Sequence, residues 1–342
     1  MGRVLKCTGW IGTAALVLAA VAVGGVYARS EFLRHHRWPK APIAITVSRD
    51  PAAAARGARL AVLYGCHDCH GQDLTGRLFH DEPALVRITG ANLTLAAARQ
   101  SDQDLARAIR TGVASDGRGL YVMPSAAFAN LTVGETADLI AYLRTFKPAG
   151  TPKITLRPGP VGRLGLALGK FKSEPQALAE GAPAAVRLGV EHEHGRALSR
   201  MCMECHGMDL NGSAFVGSPN LTMAASYTLA DFKRLMRTGV AAGDRTLPLM
   251  SATARARFSH LTDDEIASLY GYLSARSARL GNLAAASPKL AKLKQTLANF
   301  HCWAEARLVG LRRNGERAAE PCADRSAHVR RLSGAGRSRG GL

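Results

Sequence analysis

Acidic and aromatic residues are both scarce in this chain of 342 residues. It has 26 Asp and Glu against 45 Lys and Arg, which gives a formal net charge of +19 and a pI near 10.2. Such an excess of positive charge predicts an acidic partner or an anionic membrane surface. Nucleic acid is the other usual partner of a basic protein, but aromatics are only 6% of the chain and no basic stripe interleaves with them. We therefore predict no nucleic-acid partner.

Cysteine is too rare, and wrongly spaced, for a small disulfide framework. The seven cysteines are odd in number, and four of them form two C-x-x-C pairs. The seven are Cys7, Cys66, Cys69, Cys202, Cys205, Cys302 and Cys322. The last two lie in a tail that carries nine Arg and four acidic residues from His301 onward. We expect this tail to be solvated, and a pairing of its two cysteines is left open.

The only long apolar run lies at the N-terminus. Arg3 and Lys6 precede 18 apolar residues at 10–27, which is just enough for a helix to cross a bilayer. A signal peptide has a shorter apolar core, so the run favours an uncleaved anchor, although Val26-Tyr27-Ala28 would serve as a cleavage site. Either interpretation exports most of the chain.

The strongest organisational signal is an internal repeat. The segment CHDCHGQDLTG at 66–76 matches CMECHGMDLNG at 202–212, and the later segments NLT, RTGV and L-T-x-x-E follow in the same order in both copies. Arg110 lies 13 residues before Met123, and Arg237 lies 13 residues before Met250. This equal spacing indicates that the two methionines, each expected in a loop, have an assigned place.

Helix signals dominate both copies, and no convincing strand pattern is present. An Ala-rich segment at 52–64 favours a helix, and a second helix is expected from Ser101 and Asp102 to a stop at Thr111-Gly112. Capping boxes at Thr132/Glu135 and Thr262/Glu265 predict two more. The sequence therefore predicts an all-α fold, with loops long enough to require something that fills the core.

The motif C-x-x-C-H admits zinc, a redox dithiol or a haem. Zinc needs four ligands, and no second cysteine pair stands at finger-like spacing. A redox dithiol is expected in a strand-helix context, which is absent here, and does not need the histidine. Covalent haem needs all three residues, because two thioethers hold the porphyrin and the histidine binds iron. We therefore predict two covalently bound haem c groups.

The predicted iron ligands are one histidine and one methionine for each haem. His70 and His206 follow the second cysteine of each motif, and their ring N–H groups are expected to donate to the carbonyls of Ala91 and Pro219. His67 has no histidine counterpart and is expected to be an exposed polar residue. The predicted cofactor-binding residues are Cys66, Cys69, His70, Met123, Cys202, Cys205, His206 and Met250, of which the histidines and methionines bind iron.

These motifs together resemble tandem class I c-type cytochromes over about residues 52–280. More narrowly, they are similar to the membrane-anchored cytochrome c subunits of periplasmic alcohol and aldehyde dehydrogenases. The resemblance implies an electron-transfer protein rather than an enzyme, and it leaves open a place as the cytochrome subunit of a dehydrogenase complex. It also implies redox donor and acceptor proteins as partners. A dihaem peroxidase is the alternative function, and a haem-based sensor is a third.

The expected organisation is a single-pass protein of a bacterial inner membrane with its haem domains in the periplasm. The predicted segments are a signal-anchor (1–28), a linker (29–51), cytochrome c domain 1 (52–148), a second linker (149–185), cytochrome c domain 2 (186–280) and a basic tail (281–342). Below, residues 52–148 are called the first repeat and residues 186–280 the second repeat.

Overall fold

The structure is a computed structural model, and it describes residues 2–181, 185–213 and 217–286. Cys302 and Cys322 lie outside the described residues. The contacts divide the chain into two compact units, Met1–Arg276 and Ser277–Leu342. The second unit is described only over its first ten residues, which end the last helix.

The N-terminal apolar run forms the long helix α1 (Gly2–His35). Within the described residues, one stretch is long and apolar enough to cross a membrane, the 24 residues Gly12–His35 of this helix. Many of its apolar side chains are exposed, among them Leu16, Leu18 and Val21. These side chains do not pack against other parts of the protein, as is expected of a membrane helix whose surface faces lipid.

The first repeat is built from six helices joined by loops. These are α2 (Pro51–Leu63), α3 (Cys66–His70), α4 (Leu93–Arg99), α5 (Asp102–Thr111), α6 (Ser125–Phe128) and α7 (Val133–Leu143). Ser101 caps α5, and Gly112 ends it in the left-handed conformation with φ 68°. Thr132 and Glu135 form a complete capping box on α7. The helix signals predicted in this repeat are confirmed.

Short strands are also present, so the expectation of a strand-free fold is wrong. Strand β2 (Val86–Thr89) pairs antiparallel with β1 (Leu78–Glu82) on one side and with β3 (Leu156–Pro158), from the linker, on the other. Strand β3 begins at residue 156, which is 67 residues after β2 ends at residue 89. Pairing at that separation depends on tertiary contacts, which a local sequence pattern does not record.

The linker and the second repeat also consist mainly of helices. The linker holds α8 (Pro160–Ala167) and α9 (Glu174–Ala179). The second repeat holds α10 (Glu193–Leu198), α11 (Met203–His206), α12 (Leu229–Thr238), β4 (Val240–Ala241), β5 (Arg245–Thr246), α13 (Pro248–Ala256) and α14 (Asp263–Ala286). Among the described residues, four 3-10 helices lie at Val190–His192, Ser199–Cys202, Leu221–Ser226 and Phe258–His260. The described chain is therefore mostly helical, as predicted.

Each repeat contains a close helix crossing at a glycine. In the first, α2 packs on α7 where a Cβ on Gly57 would lie 1.9 Å from the carbonyl oxygen of Asp138 and 2.8 Å from Cβ of Tyr142. In the second, a Cβ on Gly195 of α10 would lie 2.1 Å from the carbonyl oxygen of Ser268. Only glycine fits at such distances, because real Cβ atoms do not approach a backbone oxygen so closely.

Most buried apolar side chains of the two repeats form one shared core, and Leu74, Ala97 and Leu143 of the first repeat form a smaller second cluster. Tyr64, Phe128 and Ile140 from the first repeat belong to the same cluster as Phe232 and Leu261 from the second. Since the two C-x-x-C-H segments flank this core, the packing holds them in one rigid unit.

Candidate functional site

The first C-x-x-C-H segment forms the single-turn helix α3. Gly65 precedes it in the left-handed conformation with φ 68°, and Gly71 follows it with φ 83°. Cys66 and Cys69 are three positions apart, so their side chains lie on one face of the turn. Both thiols are free and half-buried, as are Cys202 and Cys205 of the second segment. Each pair is therefore presented together as unbonded sulfur atoms.

Burial governs the acidity of these thiols. It raises the pKa of Cys66 and of Cys202 to about 12, and that of Cys69 to about 11. A redox dithiol needs the opposite shift, because the thiolate is the nucleophile in disulfide exchange. The environment of the four cysteines therefore argues against a thioredoxin-like centre.

The histidine that ends each segment is fixed by a backbone carbonyl. His70 Nδ1 lies 2.7 Å from the oxygen of Ala91, and His206 Nδ1 lies 2.8 Å from the oxygen of Pro219. Both predicted carbonyl acceptors are confirmed. Burial lowers the pKa of both rings, which favours neutral imidazole. A neutral ring that donates from Nδ1 carries its lone pair on Nε2, where it can bind a metal.

The loop that carries the Ala91 carbonyl lies against the cysteine segment itself. A Cβ on Gly90 would lie 1.9 Å from the carbonyl oxygen of Cys69. In the second repeat, Ser218 fills the matching place and its Oγ donates to the carbonyl of Cys205. The two loops thus reach the same position, one with a glycine and the other with a serine. Both bring a carbonyl to the histidine.

The backbone after each histidine follows one path in both repeats. Leu74 and Leu210 have φ of 59° and 61°, unusual values for a residue with a Cβ, and both side chains are buried. The amide of Gly76 donates to His70 O, and that of Gly212 donates to His206 O, each at 2.8 Å. The sequence repeat is therefore also a conformational repeat over these residues.

His67 is not an exposed polar residue, so that expectation is wrong. The side chain is half-buried, and its Nε2 lies 3.1 Å from the hydroxyl of Tyr142 on α7. The two rings meet edge to face with centroids 6.0 Å apart. The expectation failed because a contact across 75 residues leaves no local pattern. His67 fastens α3 to the last helix of its repeat.

The two methionines occupy different local structures. Met123 lies in the turn before α6, as expected, and is half-buried against the core. Met250 is also half-buried there, but it lies in the first turn of α13 rather than in a loop. Pro248 explains the difference, since proline favours the first position of a helix.

Arg257 joins the two segments and was not anticipated from the sequence. Its Nε donates to Asp68 at 2.6 Å and its Nη1 donates to Glu204 at 2.9 Å. These carboxylates occupy the same place in the two motifs, between the cysteines. Burial alone would lower the pKa of the guanidinium, but Glu204 and Asp68 outweigh it and raise that pKa. The counterpart of Arg257 in the first repeat is Ala127, so the repeat gave no signal for it.

Two further arginines join the repeats reciprocally. Arg200 of the second repeat binds Glu135, the capping-box residue of α7, with Nη2 2.9 Å from a carboxylate oxygen. Arg59 of the first repeat binds Glu265, the corresponding residue of α14. Each capping box is therefore also an anchor for the other repeat.

Glu174 of the linker lies beside the Met123 turn. Its carboxylate accepts a hydrogen bond from the amide of Ala126 at 3.1 Å, at the start of α6. Burial raises the pKa of this carboxyl to about 7, although hydrogen bonds from the amides of Ala126 and Ser125 oppose the shift. The linker thus supplies a buried carboxyl to the segment that presents Met123.

The residues present fit a covalently attached haem better than a bare metal ion. Among the described residues, no cluster of three or more His, Cys, Asp or Glu side chains is placed to hold a metal ion. Cys66, Cys69 and His70 therefore do not converge on one point, as zinc ligands must. They instead present two paired, protonated thiols and a neutral, carbonyl-fixed imidazole, which suit thioether attachment of a haem and binding of its iron by the histidine.

The family comparison agrees with this chemistry. A family model described as Cytochrome c matches residues 54–147, which is nearly the whole first repeat. The chain therefore carries a cytochrome c domain there, and such a domain implies a covalently bound haem c and a role in electron transfer. No curated protein matches the chain.

Proposed function

We propose that this protein is a membrane-anchored dihaem c-type cytochrome that passes single electrons between a donor and an acceptor protein. The observation that carries the second haem is the conformational repeat. His206 has the same carbonyl bond as His70, and Leu210 has the same left-handed backbone as Leu74. A segment with the same residues in the same conformation supports the same attachment chemistry.

The two sites would use corresponding residues. Cys66 and Cys69 would attach the first haem and Cys202 and Cys205 the second, and the iron of each would be bound by one histidine and one methionine. Those ligands are His70, Met123, His206 and Met250. A haem c bound in this way supplies a one-electron centre whose potential a thioether ligand raises.

The protein's own groups would orient these ligands. The carbonyls of Ala91 and Pro219 fix the plane and tautomer of each imidazole, so that Nε2 is the free nitrogen. Arg257 would keep the two attachment segments adjacent by binding Asp68 and Glu204. Adjacent segments favour sequential transfer between two centres within one rigid unit.

We place the protein in the inner membrane of a bacterium, anchored by α1, with both repeats in the periplasm as tandem cytochrome c domains. Haem c attachment outside the cytoplasm and an N-terminal apolar helix support this arrangement together. The partners would be redox proteins, a periplasmic dehydrogenase among them. The net charge of +19 suits an acidic partner that associates quickly and weakly.

Counting covalent haem in the full-length protein tests the core of this proposal. We expect two haems per chain, and one in each of two paired variants, Cys66→Ser/Cys69→Ser and Cys202→Ser/Cys205→Ser. If the unaltered protein holds one haem, and the Cys202→Ser/Cys205→Ser variant still holds it, the second segment does not attach a haem. Haem absent from both segments would overturn the proposal as a whole.

Optical spectra of the oxidised and reduced protein test the function against a peroxidase. Two low-spin haems with the near-infrared band of thioether-ligated ferric iron would support an electron carrier. A high-spin haem that binds carbon monoxide or peroxide at once would favour the peroxidase. Proteolysis of intact spheroplasts tests the orientation, because periplasmic repeats would be digested without lysis.

A further inference from the structure

Helix α8 in the linker exposes a continuous apolar stripe. Val161, Leu164 and Leu168 are 57%, 44% and 64% exposed, and their spacing of three and four residues places them on one side of the helix. The opposite side is covered, since Leu166 and Ala167 are buried. A short helix with one packed side and one exposed apolar side has the pattern of an interfacial helix.

This stripe lies beside the end of α1 where the apolar run stops. The guanidinium of Arg163 lies 4.5 Å from the centre of the Tyr27 ring and bonds to Ser30 Oγ at 3.0 Å. In return, Arg29 of α1 donates from Nε to the carbonyl of Ala167 in α8 at 2.8 Å. The two contacts lie four residues apart on α8, so this helix packs against the last turns of α1.

The distances match the headgroup region of a bilayer. Residues 28–34 of α1 follow the apolar run and advance by about 10 Å at the helical rise. The polar zone on each side of a bilayer is about 5–8 Å thick. Tyr27 stands at the end of the run, which is the depth at which tyrosine anchors membrane helices. If α1 crosses the membrane, α8 lies at the height of the headgroups.

Packing against the rest of the first unit fixes α8 in this place. The amides of Gly159 and Val161 donate to the carbonyls of Leu85 and Ala84 in the β1–β2 turn, at 2.9 and 3.0 Å. A Cβ on Gly162 would lie 2.0 Å from the carbonyl oxygen of Leu85, so the helix sits directly on that turn. The stripe is therefore held in one orientation and is not covered by collapse onto the protein.

We propose that α8 is a second membrane contact, and that Val161, Leu164 and Leu168 insert into the lipid headgroup layer beside α1. This inference rests on the membrane crossing of α1 included in the proposed function, but not on haem. Contact at both α1 and α8 would restrict rotation of the first unit about the anchor. It would therefore hold the cytochrome c domain in a defined orientation to the membrane.

Photocrosslinking of the full-length protein in nanodiscs tests the contact. A benzophenone amino acid replaces Leu164 or Leu168, and the nanodiscs contain phosphatidylethanolamine and phosphatidylglycerol. Two control positions use the same reporter. Val21, exposed in the apolar run of α1, reports on the anchor, and Val190, 94% exposed in the second repeat, reports on an exposed apolar residue outside α1 and α8. Mass spectrometry then identifies lipid adducts.

We expect lipid adducts at Leu164, Leu168 and Val21, and none at Val190. Adducts at Val21 without any at Leu164 and Leu168 would overturn this inference and leave the anchor intact. If no position gives lipid adducts, the membrane anchor itself is overturned, together with the α8 contact. Adducts between two protein chains at Leu164 would show that a second copy covers the stripe, which also overturns the inference.

Discussion

Asp68 and Glu204 occupy the same position in the two C-x-x-C-H segments, and a single guanidinium holds both. Arg257 lies 2.6 Å from the first carboxylate and 2.9 Å from the second, and the residue is only 8% exposed. A buried cation between two anions is favourable only while all three groups are present. The two segments are therefore joined by one side chain on which both depend.

Replacement of Arg257 should destabilise the protein far more than replacement of a surface arginine. Arg257→Gln removes a buried cation and leaves Asp68 and Glu204, whose side chains are 43% and 29% exposed, without their shared partner. Because solvent screens both carboxylates in part, we expect the free energy of unfolding to fall by about 2 kcal/mol. Denaturation of the detergent-solubilised protein, followed by circular dichroism, measures the loss. The matched control is Arg59→Gln, since Arg59 also joins the repeats but its side chain is 41% exposed. We expect less than about 1 kcal/mol there; equal losses would contradict the role given to Arg257.

The glycine at the crossing of α2 and α7 should tolerate no side chain. In Gly57→Ala, the new methyl group would meet the carbonyl oxygen of Asp138 at 1.9 Å, so the helices must separate. We expect a loss of about 3 kcal/mol in the free energy of unfolding. Gly271→Ala is the control, because α14 has nothing within 4 Å of the added Cβ and alanine favours helices. An equal loss in both variants would show that the crossing is not the cause.

Much of the local structure could be predicted because its causes are local. Ser101, Thr132 and Gly112 start or end their helices through contacts with residues at most four positions away, and the sequence records such contacts directly. The carbonyl partners of His70 and His206 were also predictable, since the N-L-T loop recurs after both motifs. A repeated sequence reveals which loop faces which ligand even without knowledge of the fold.

The features that could not be predicted come from contacts distant in the chain. Arg257 is 189 residues from Asp68, and His67 is 75 residues from Tyr142. Neither has a matching residue in the other repeat, so the repeat did not mark them. Strand β3 pairs with β2 for the same kind of reason, because the linker returns to the first repeat. The position of Met250 inside α13 differs from these cases, since Pro248 offered a local signal for a helix start.

Replacement of Met123 should change one haem only, if the proposed ligands are right. In Met123→Leu the side chain keeps its size but loses its thioether sulfur. We expect about half of the near-infrared band of the oxidised protein to vanish and one reduction potential to fall, because a thioether ligand raises the potential. The control is Met236→Leu, a methionine of α12 that is buried in the core and is not among the proposed ligands. An unchanged band in Met123→Leu would remove this residue as a ligand.

Glu174 should make stability depend on pH near neutrality. Its pKa is about 7 in the folded protein, against 4.5 without the fold, because burial disfavours the carboxylate. The folded state therefore binds more protons than the unfolded state between these values, and stability falls as pH rises from about 4.5 to 7. The full shift corresponds to a loss of about 3 kcal/mol. Unfolding measured at a series of pH values should show this slope, and Glu174→Gln should remove it. Glu180→Gln is the control at the opposite end of α9, since the Lys172 contact lowers the pKa of that exposed carboxyl. A slope that persists in Glu174→Gln would assign it to another group.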